Sequence, residues 1–146
     1  MPNIIIETSR PDLITKPESL LSRINSSLWS TGQFGKPEDI KARIFHPQHS
    51  LVGLSSENTM EKSHEFVYVH FYLMPGRSDA IKKTLVDAIA TAIASHISEH
   101  ENLYQAGNMQ GKLQICVNPI ELSENYKKMK KKKMALWFQS FHDLTV

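Results

Sequence analysis

The sequence predicts an α+β domain in which two consecutive β-α-β units build one four-stranded sheet with both helices on the same face. Three observations predict it. Short runs rich in β-branched and aromatic residues, or alternating in polarity, stand at residues 3–7, 40–46, 66–73 and 112–117. Within each pair of runs lies a segment whose apolar residues recur with the helical period. At 146 residues the chain has the length of one ordinary domain, enough to bury a real core.

Taken in order, Ile4 and Ile6 point to one side of the first strand and Ile5 to the other, so the strand is expected to be covered on both faces. Thr15-Lys16-Pro17-Glu18 reads as a helix start, with proline in the first turn and an acid near the positive end of the dipole. Leu20, Leu21, Ile24 and Leu28 follow at helical spacing, and Gly32 is a natural stop. Ile40, Ala42 and Ile44 then share one strand face, with Lys41, Arg43 and Phe45 on the other.

Residues 47–65 are polar and read as a long loop. Phe66 to Leu73 forms the strongest strand, Pro75-Gly76 turns the chain, and Ser78 with Asp79 caps a second helix. Its stripe comprises Ile81, Leu85, Ala88, Ile89, Ala92, Ile93 and Ile97. A fourth strand at 112–117 is expected to close at Pro119. The whole of 1–146 reads as one domain: a first unit at about 2–46, a second at about 66–118, and a tail at 119–146. No third long amphipathic helix precedes the tail, so the second sheet face calls for an oligomer to cover it.

Composition excludes more than it assigns. No apolar run is long enough to cross a bilayer, and no basic region followed by an apolar stretch opens the chain, so neither a membrane nor a secretory route is expected. One cysteine, Cys116, leaves no internal disulfide and suits a reducing cytoplasm. The net charge of +2 misleads, because six lysines between Lys127 and Lys133 supply it; without those six charges the remainder is −4. With no nucleic-acid motif present, the lysine run reads as a solvated segment rather than a nucleic-acid or membrane surface. The tail beyond it carries Met134, Leu136, Trp137, Phe138 and Phe141, whose state the sequence leaves open.

Pro2 is the residue with the most chemistry to offer. A proline behind the initiator normally allows Met1 to be trimmed, which leaves a secondary amine at the head of an apolar strand. Such an amine is a candidate general base; the bland alternative is a start-codon neighbour with no role. His96-Ile97-Ser98-Glu99-His100 has the inverted zinc-protease spacing. Its place at a helix C-terminus, where histidines complement the dipole, and the lack of a third ligand argue for coincidence. Cys116 reads as a buried thiol and His70 as a hydrogen-bonded structural histidine.

The run Leu73-Met74-Pro75-Gly76-Arg77-Ser78-Asp79, followed by Lys82, Lys83, Leu85 and Ala88-Ile89, resembles the 4-oxalocrotonate tautomerase pattern. With Pro2 through Glu7, Thr31-Gly32 and Phe34, Ile40 through Ile44 and Phe66 through His70, the chain looks like a tautomerase superfamily member. It is most similar to the 5-carboxymethyl-2-hydroxymuconate delta-isomerase family. The resemblance implies a tautomerase-like (MIF-like) fold assembled as a homotrimer, with the mature proline as base. It further implies a cofactor-independent isomerase acting on small unsaturated 2-hydroxy or 2-oxo acids, often dicarboxylates from aromatic-compound breakdown. Arg77, the arginine of Gly-Arg-Ser, is then a catalytic or substrate-binding residue. Lys41 stands where the family has an arginine, so the charge stays while the fork that grips a carboxylate is lost.

On that reading Pro2, Arg77 and Lys41 are the catalytic candidates, with Arg43 and Phe34 as substrate-binding candidates and no metal. Lys41 and Arg43 share a face, so one can line the pocket while the other pairs across subunits. Phe34 has core or interface packing as its alternative, and Arg77 a solvated place at the helix start. A scaffold that keeps the fold and binds without turnover is the competing function.

Overall fold

The computed structural model describes residues 1–57, 63–100 and 111–133. Six elements carry the fold: β1 (Asn3–Thr8), α1 (Pro17–Trp29), β2 (Lys41–Phe45), β3 (Glu65–Leu73), α2 (Asp79–Glu99) and β4 (Leu113–Glu121). They form an α+β fold around one sheet of order β2-β1-β3-β4. β1 is parallel to β2, β3 is parallel to β4, and the two halves meet antiparallel at β1 and β3. This arrangement follows from the two helical crossovers, since each parallel pair needs a long connection.

Strand alternation sorts the two faces. Ile4 and Ile6 stand opposite Phe71 and Val69, and all four are buried with the helix stripes Leu20, Ile24, Leu28 and Leu85, Ile89, Ile93. Both helices therefore lie on one face. Ile5 stands opposite His70 on the other face and is half-buried in the single chain, as are Tyr68 and Tyr72. The helices are tied to each other by a two-pronged bond from Arg23 to Glu99, at 3.1 and 2.6 Å.

Helix ends follow the local chemistry. Pro17 opens α1 behind Lys16, which sits at φ 51° with no side-chain cap bond. Gly32, at φ 72°, takes the left-handed turn that releases the chain after α1. Ser78 caps α2, its hydroxyl accepting from the Ile81 N–H at 3.2 Å.

Two elements differ from expectation. β4 does not stop at Pro119 but runs to Glu121, with Pro119 opposite Phe71. An edge strand has one side without a ladder partner, so a residue without an N–H is tolerated there. β3 starts at Glu65, whose buried carboxylate is held by Ser9 and Ser63 and paired with Arg10 at 3.2 Å. Those contacts close the sheet end where β1 finishes. The expectation for Met134, Leu136, Trp137, Phe138 and Phe141 lies outside the described residues.

Candidate active site

Because β1 and β2 run parallel while β3 and β4 run the other way, the starts of β1 and β2 share one sheet end with the finishes of β3 and β4. Pro2 lies at that end. It is buried, and its carbonyl accepts the backbone N–H of Lys41 at 3.2 Å. Met1 stands ahead of it, its sulfur accepting from Asn3 Nδ2 at 3.0 Å and from the Tyr126 hydroxyl at 3.3 Å. The terminal amine is held below the ordinary α-amino range, first by burial and then by the charges of Lys128 and Lys41, against an opposing pull from Asp39.

Lys41 opens β2, is exposed, and donates from Nζ to the Asp39 carbonyl oxygen at 3.1 Å. Arg43 follows two residues on along the same sheet face, with Nη1 3.4 Å from Asn3 Oδ1. Arg77 lies at the loop between β3 and α2. Its Nη2 donates to the Gln33 carbonyl at 2.9 Å, and its guanidinium carbon sits 5.0 Å from the centre of the Phe34 ring. Phe34 is buried, 6% exposed, so it serves as a platform under Arg77.

The candidates thus fall into two groups. Pro2, Lys41 and Arg43 gather around Asn3, whereas Arg77 and Phe34 pair with each other. A cavity of about 500 Å³ opens beside Asn3 and Lys41, large enough for a small-molecule ligand. Of the five candidates only Lys41 lines it; Pro2, Arg43, Arg77 and Phe34 do not, though Pro2 directly precedes the lining residue Asn3.

The lysine run is exposed throughout, as the sequence reading expects, but two of its members reach a carboxylate. The parallel ladder continues one bond past β4, the Leu122 N–H donating to the Leu73 carbonyl at 2.8 Å, and the chain then turns with the Tyr126 N–H on the Ser123 carbonyl at 3.0 Å. Lys128 Nζ then reaches Asp39 Oδ1 at 2.5 Å, and Lys130 Nζ lies 3.5 Å from the same oxygen. The Lys128 ammonium, with Lys130 behind it, brings the Asp39 carboxyl down to about 2, and the same contact raises Lys128. Asp39, Lys128 and Tyr126 are therefore site-lining residues that the sequence reading missed. An ion pair spanning 89 positions leaves no local signal.

The remaining candidates have structural partners. His96 is buried with Nε2 2.6 Å from the Thr15 carbonyl oxygen, and His100 Nδ1 lies 2.7 Å from the His96 carbonyl. Among the described residues no group of three His, Cys, Asp or Glu side chains is placed to hold a metal. His70 faces Glu7 at 3.4 Å. Cys116 is only half-buried, on the sheet face away from the helices. Among the described residues no helix is long and apolar enough to cross a membrane.

No family model matches the chain, and no curated protein matches it in sequence. Solved structures do. A 5-carboxymethyl-2-hydroxymuconate isomerase from Deinococcus radiodurans R1 superposes with a TM-score of 0.65 at 22% identity, over 90% of each chain. A 5-carboxymethyl-2-hydroxymuconate delta-isomerase gives 0.65 at 15% identity, over 97% of this chain and 93% of that one.

The chain has the tautomerase fold. A fused 4-OT, described as a symmetric trimer, shares the tautomerase fold with a TM-score of 0.58 at 14% identity, over 88% of this chain and 93% of its own.

Proposed function

We propose that this protein is a cofactor-independent isomerase, a tautomerase that shifts a proton and a double bond in a small unsaturated 2-hydroxy or 2-oxo carboxylic acid. Pro2, freed by removal of Met1, is the general base. The observation that supports the reading is a buried proline at the head of a central strand, directly before Asn3, which lines a cavity together with Lys41 and Lys128.

The chemistry follows from those groups. A general base works best when its pKa lies near the operating pH. Burial and neighbouring ammonium groups both disfavour a charged amine; they lower the amine of Met1 at this sheet end, and the proposal is that the prolyl amine left by trimming meets the same influences. The neutral prolyl nitrogen takes a proton from the carbon next to the conjugated ketone. The C–H electron pair becomes a new C=C bond, and the carbonyl π pair moves onto oxygen. Lys41, on the cavity wall, stabilises that oxyanion or the substrate carboxylate; the resemblance gives Arg77 the same role and Arg43 and Phe34 contact with substrate, although none of the three lines this cavity. The prolinium then returns its proton to a different carbon, so atoms and electrons balance without a cofactor.

We assign the assembly as a homotrimer, with the half-buried sheet face carrying Ile5, Tyr68 and Tyr72 as the intersubunit surface. A trimeric neighbour supports this assembly, and the single cysteine fits a cytoplasmic setting. A second reading is a binding protein of the same fold without turnover, and the fate of Met1 discriminates it. Its sulfur is seated between Asn3 and Tyr126, and a retained Met1 leaves no prolyl amine.

Intact-mass measurement of the purified protein separates the two. Ketonisation of a simple enol, followed by ultraviolet absorbance, then tests the roles. Wild type is expected to outpace Pro2→Ala and Arg77→Ala, and equal rates in all three would overturn the assignment.

A further inference from the structure

Asn3 directly follows the proposed base and stands opposite Lys41 in the parallel pair of β1 and β2. Both residues line the cavity of about 500 Å³. An amide side chain has an oxygen that accepts and a nitrogen that donates, so its neighbours fix which end points where. Two neighbours fix it here. Arg43 Nη1, which can only donate, lies 3.4 Å from Oδ1. The Met1 sulfur, which carries no hydrogen, lies 3.0 Å from Nδ2 and so draws the nitrogen toward the chain terminus. The contact with Arg43 does not involve Met1. Trimming therefore leaves the amide oriented and takes away only the partner of Nδ2.

In the proposed proton shift the base and the oxyanion donor must be close neighbours, because the carbon that loses its proton is bonded to the carbon that carries the oxygen. The prolyl nitrogen is a backbone atom of the residue just before Asn3. Once Met1 is gone, both N–H groups of Nδ2 are without a partner among the described residues. Beside them, Lys41 Nζ spends one of its three donors on the Asp39 carbonyl.

We propose that Asn3 is a further catalytic residue, its Nδ2 donating to the 2-oxo or 2-hydroxy oxygen of the substrate as negative charge develops there. Arg43 is a positioning residue that holds the amide with its nitrogen toward the base, a role that its place off the cavity wall allows. The proposal deepens the isomerase reading and rests on it. Asn3 exchanges no proton with the substrate.

The test uses unreactive probes on the mature full chain, so it does not depend on turnover. Pyridine-2-carboxylate and benzoate share size and charge. The first carries an acceptor nitrogen bonded to the carbon that bears the carboxylate, where a substrate carries its 2-oxo oxygen. Both are titrated by calorimetry at neutral pH into wild type, Asn3→Leu, Asn3→Asp, Arg43→Met, Arg43→Lys and Glu7→Gln. Glu7 lies on the same strand face but does not line the cavity. The readout is the ratio of the two affinities, in which any effect common to both probes cancels.

Wild type and Glu7→Gln are expected to prefer pyridine-2-carboxylate by about fivefold, the worth of one hydrogen bond. Both Asn3 variants are expected to lose the preference, Arg43→Met to weaken it and Arg43→Lys to retain most of it. The kcat for ketonisation of an enol is expected to fall by about 10² in Asn3→Leu, more than the lost preference, because the oxygen is charged only in the transition state.

Equal affinities in wild type would overturn the proposal. So would survival of the preference in the Asn3 variants, or an equal loss in Glu7→Gln. A full preference in Arg43→Met would overturn the positioning role. An inactive wild type that keeps the Asn3-dependent preference would sink the isomerase reading alone. An active enzyme without that dependence would sink only the role of Asn3.

Discussion

Substituting Ile4 by alanine tests how firmly the strand behind Pro2 is held. Ile4 is 0% exposed, packed opposite Phe71 and beside Ala42 beneath the helices. The change removes three buried carbons, about 2.4 kcal/mol at roughly 0.8 kcal/mol each, and the cavity left behind raises the cost to about 3–4 kcal/mol. That is a large fraction of the roughly 5–15 kcal/mol that stabilises a domain of this kind. Ile5→Ala is the matched control, because Ile5 lies on the other face and is half-buried in the single chain.

In the monomer Ile5→Ala should cost about 1 kcal/mol, and in the assembled protein it should also weaken oligomerisation. Urea unfolding with unchanged slope reads the first quantity, and light scattering across a dilution series reads the second. A loss below about 1 kcal/mol for Ile4→Ala would refute the two-faced account of the sheet.

Other consequences can be checked separately. Arg77→Ala is expected to reduce kcat/KM by about 10²–10³, the usual cost of deleting one donor to a developing oxyanion, and an unchanged value would confine Arg77 to its packing on Phe34. Lys128 lowers the amine of Met1; if its charge acts in the same sense on the prolyl amine of the trimmed chain, Lys128→Met moves the rising limb of kcat/KM against pH to higher pH, and a fixed limb would contradict that coupling. Asp39 titrates at about 2 against an ordinary 3.8, so its hold on Lys128 is present above the higher value and is lost as pH falls toward the lower. Hydrogen exchange across 122–131 should therefore quicken over that acid window, and protection persisting below it would count against the ion pair.

Most of the fold was legible because its signals are local. The helical spacing of Leu20, Ile24 and Leu28, and of Leu85, Ile89 and Ile93, matches the faces that are buried. Alternation in Ile40 through Phe45 sorted that strand correctly, with Ala42 and Ile44 turned toward the core. Pro119 misled because a proline reads as a strand stop, whereas an unpaired edge has no use for its missing N–H. Pro2 is nominated by its place behind the initiator, and Lys41 and Arg43 by the family resemblance; the structure adds that β1 and β2 begin at the same sheet end. Asp39 with Lys128 could not be nominated, since only the turn of the chain after Glu121 brings them together, and a lysine-rich composition says nothing of which lysine finds a carboxylate.

The central claim is that the prolyl nitrogen is free and largely uncharged at neutral pH. It is tested most directly by a nitrogen-15 NMR titration of selectively labelled Pro2 in the mature protein. The account predicts a single titration below the ordinary α-amino range of about 7.7–8.0. An amide-like nitrogen that does not titrate, or one that titrates at or above that range, would contradict it.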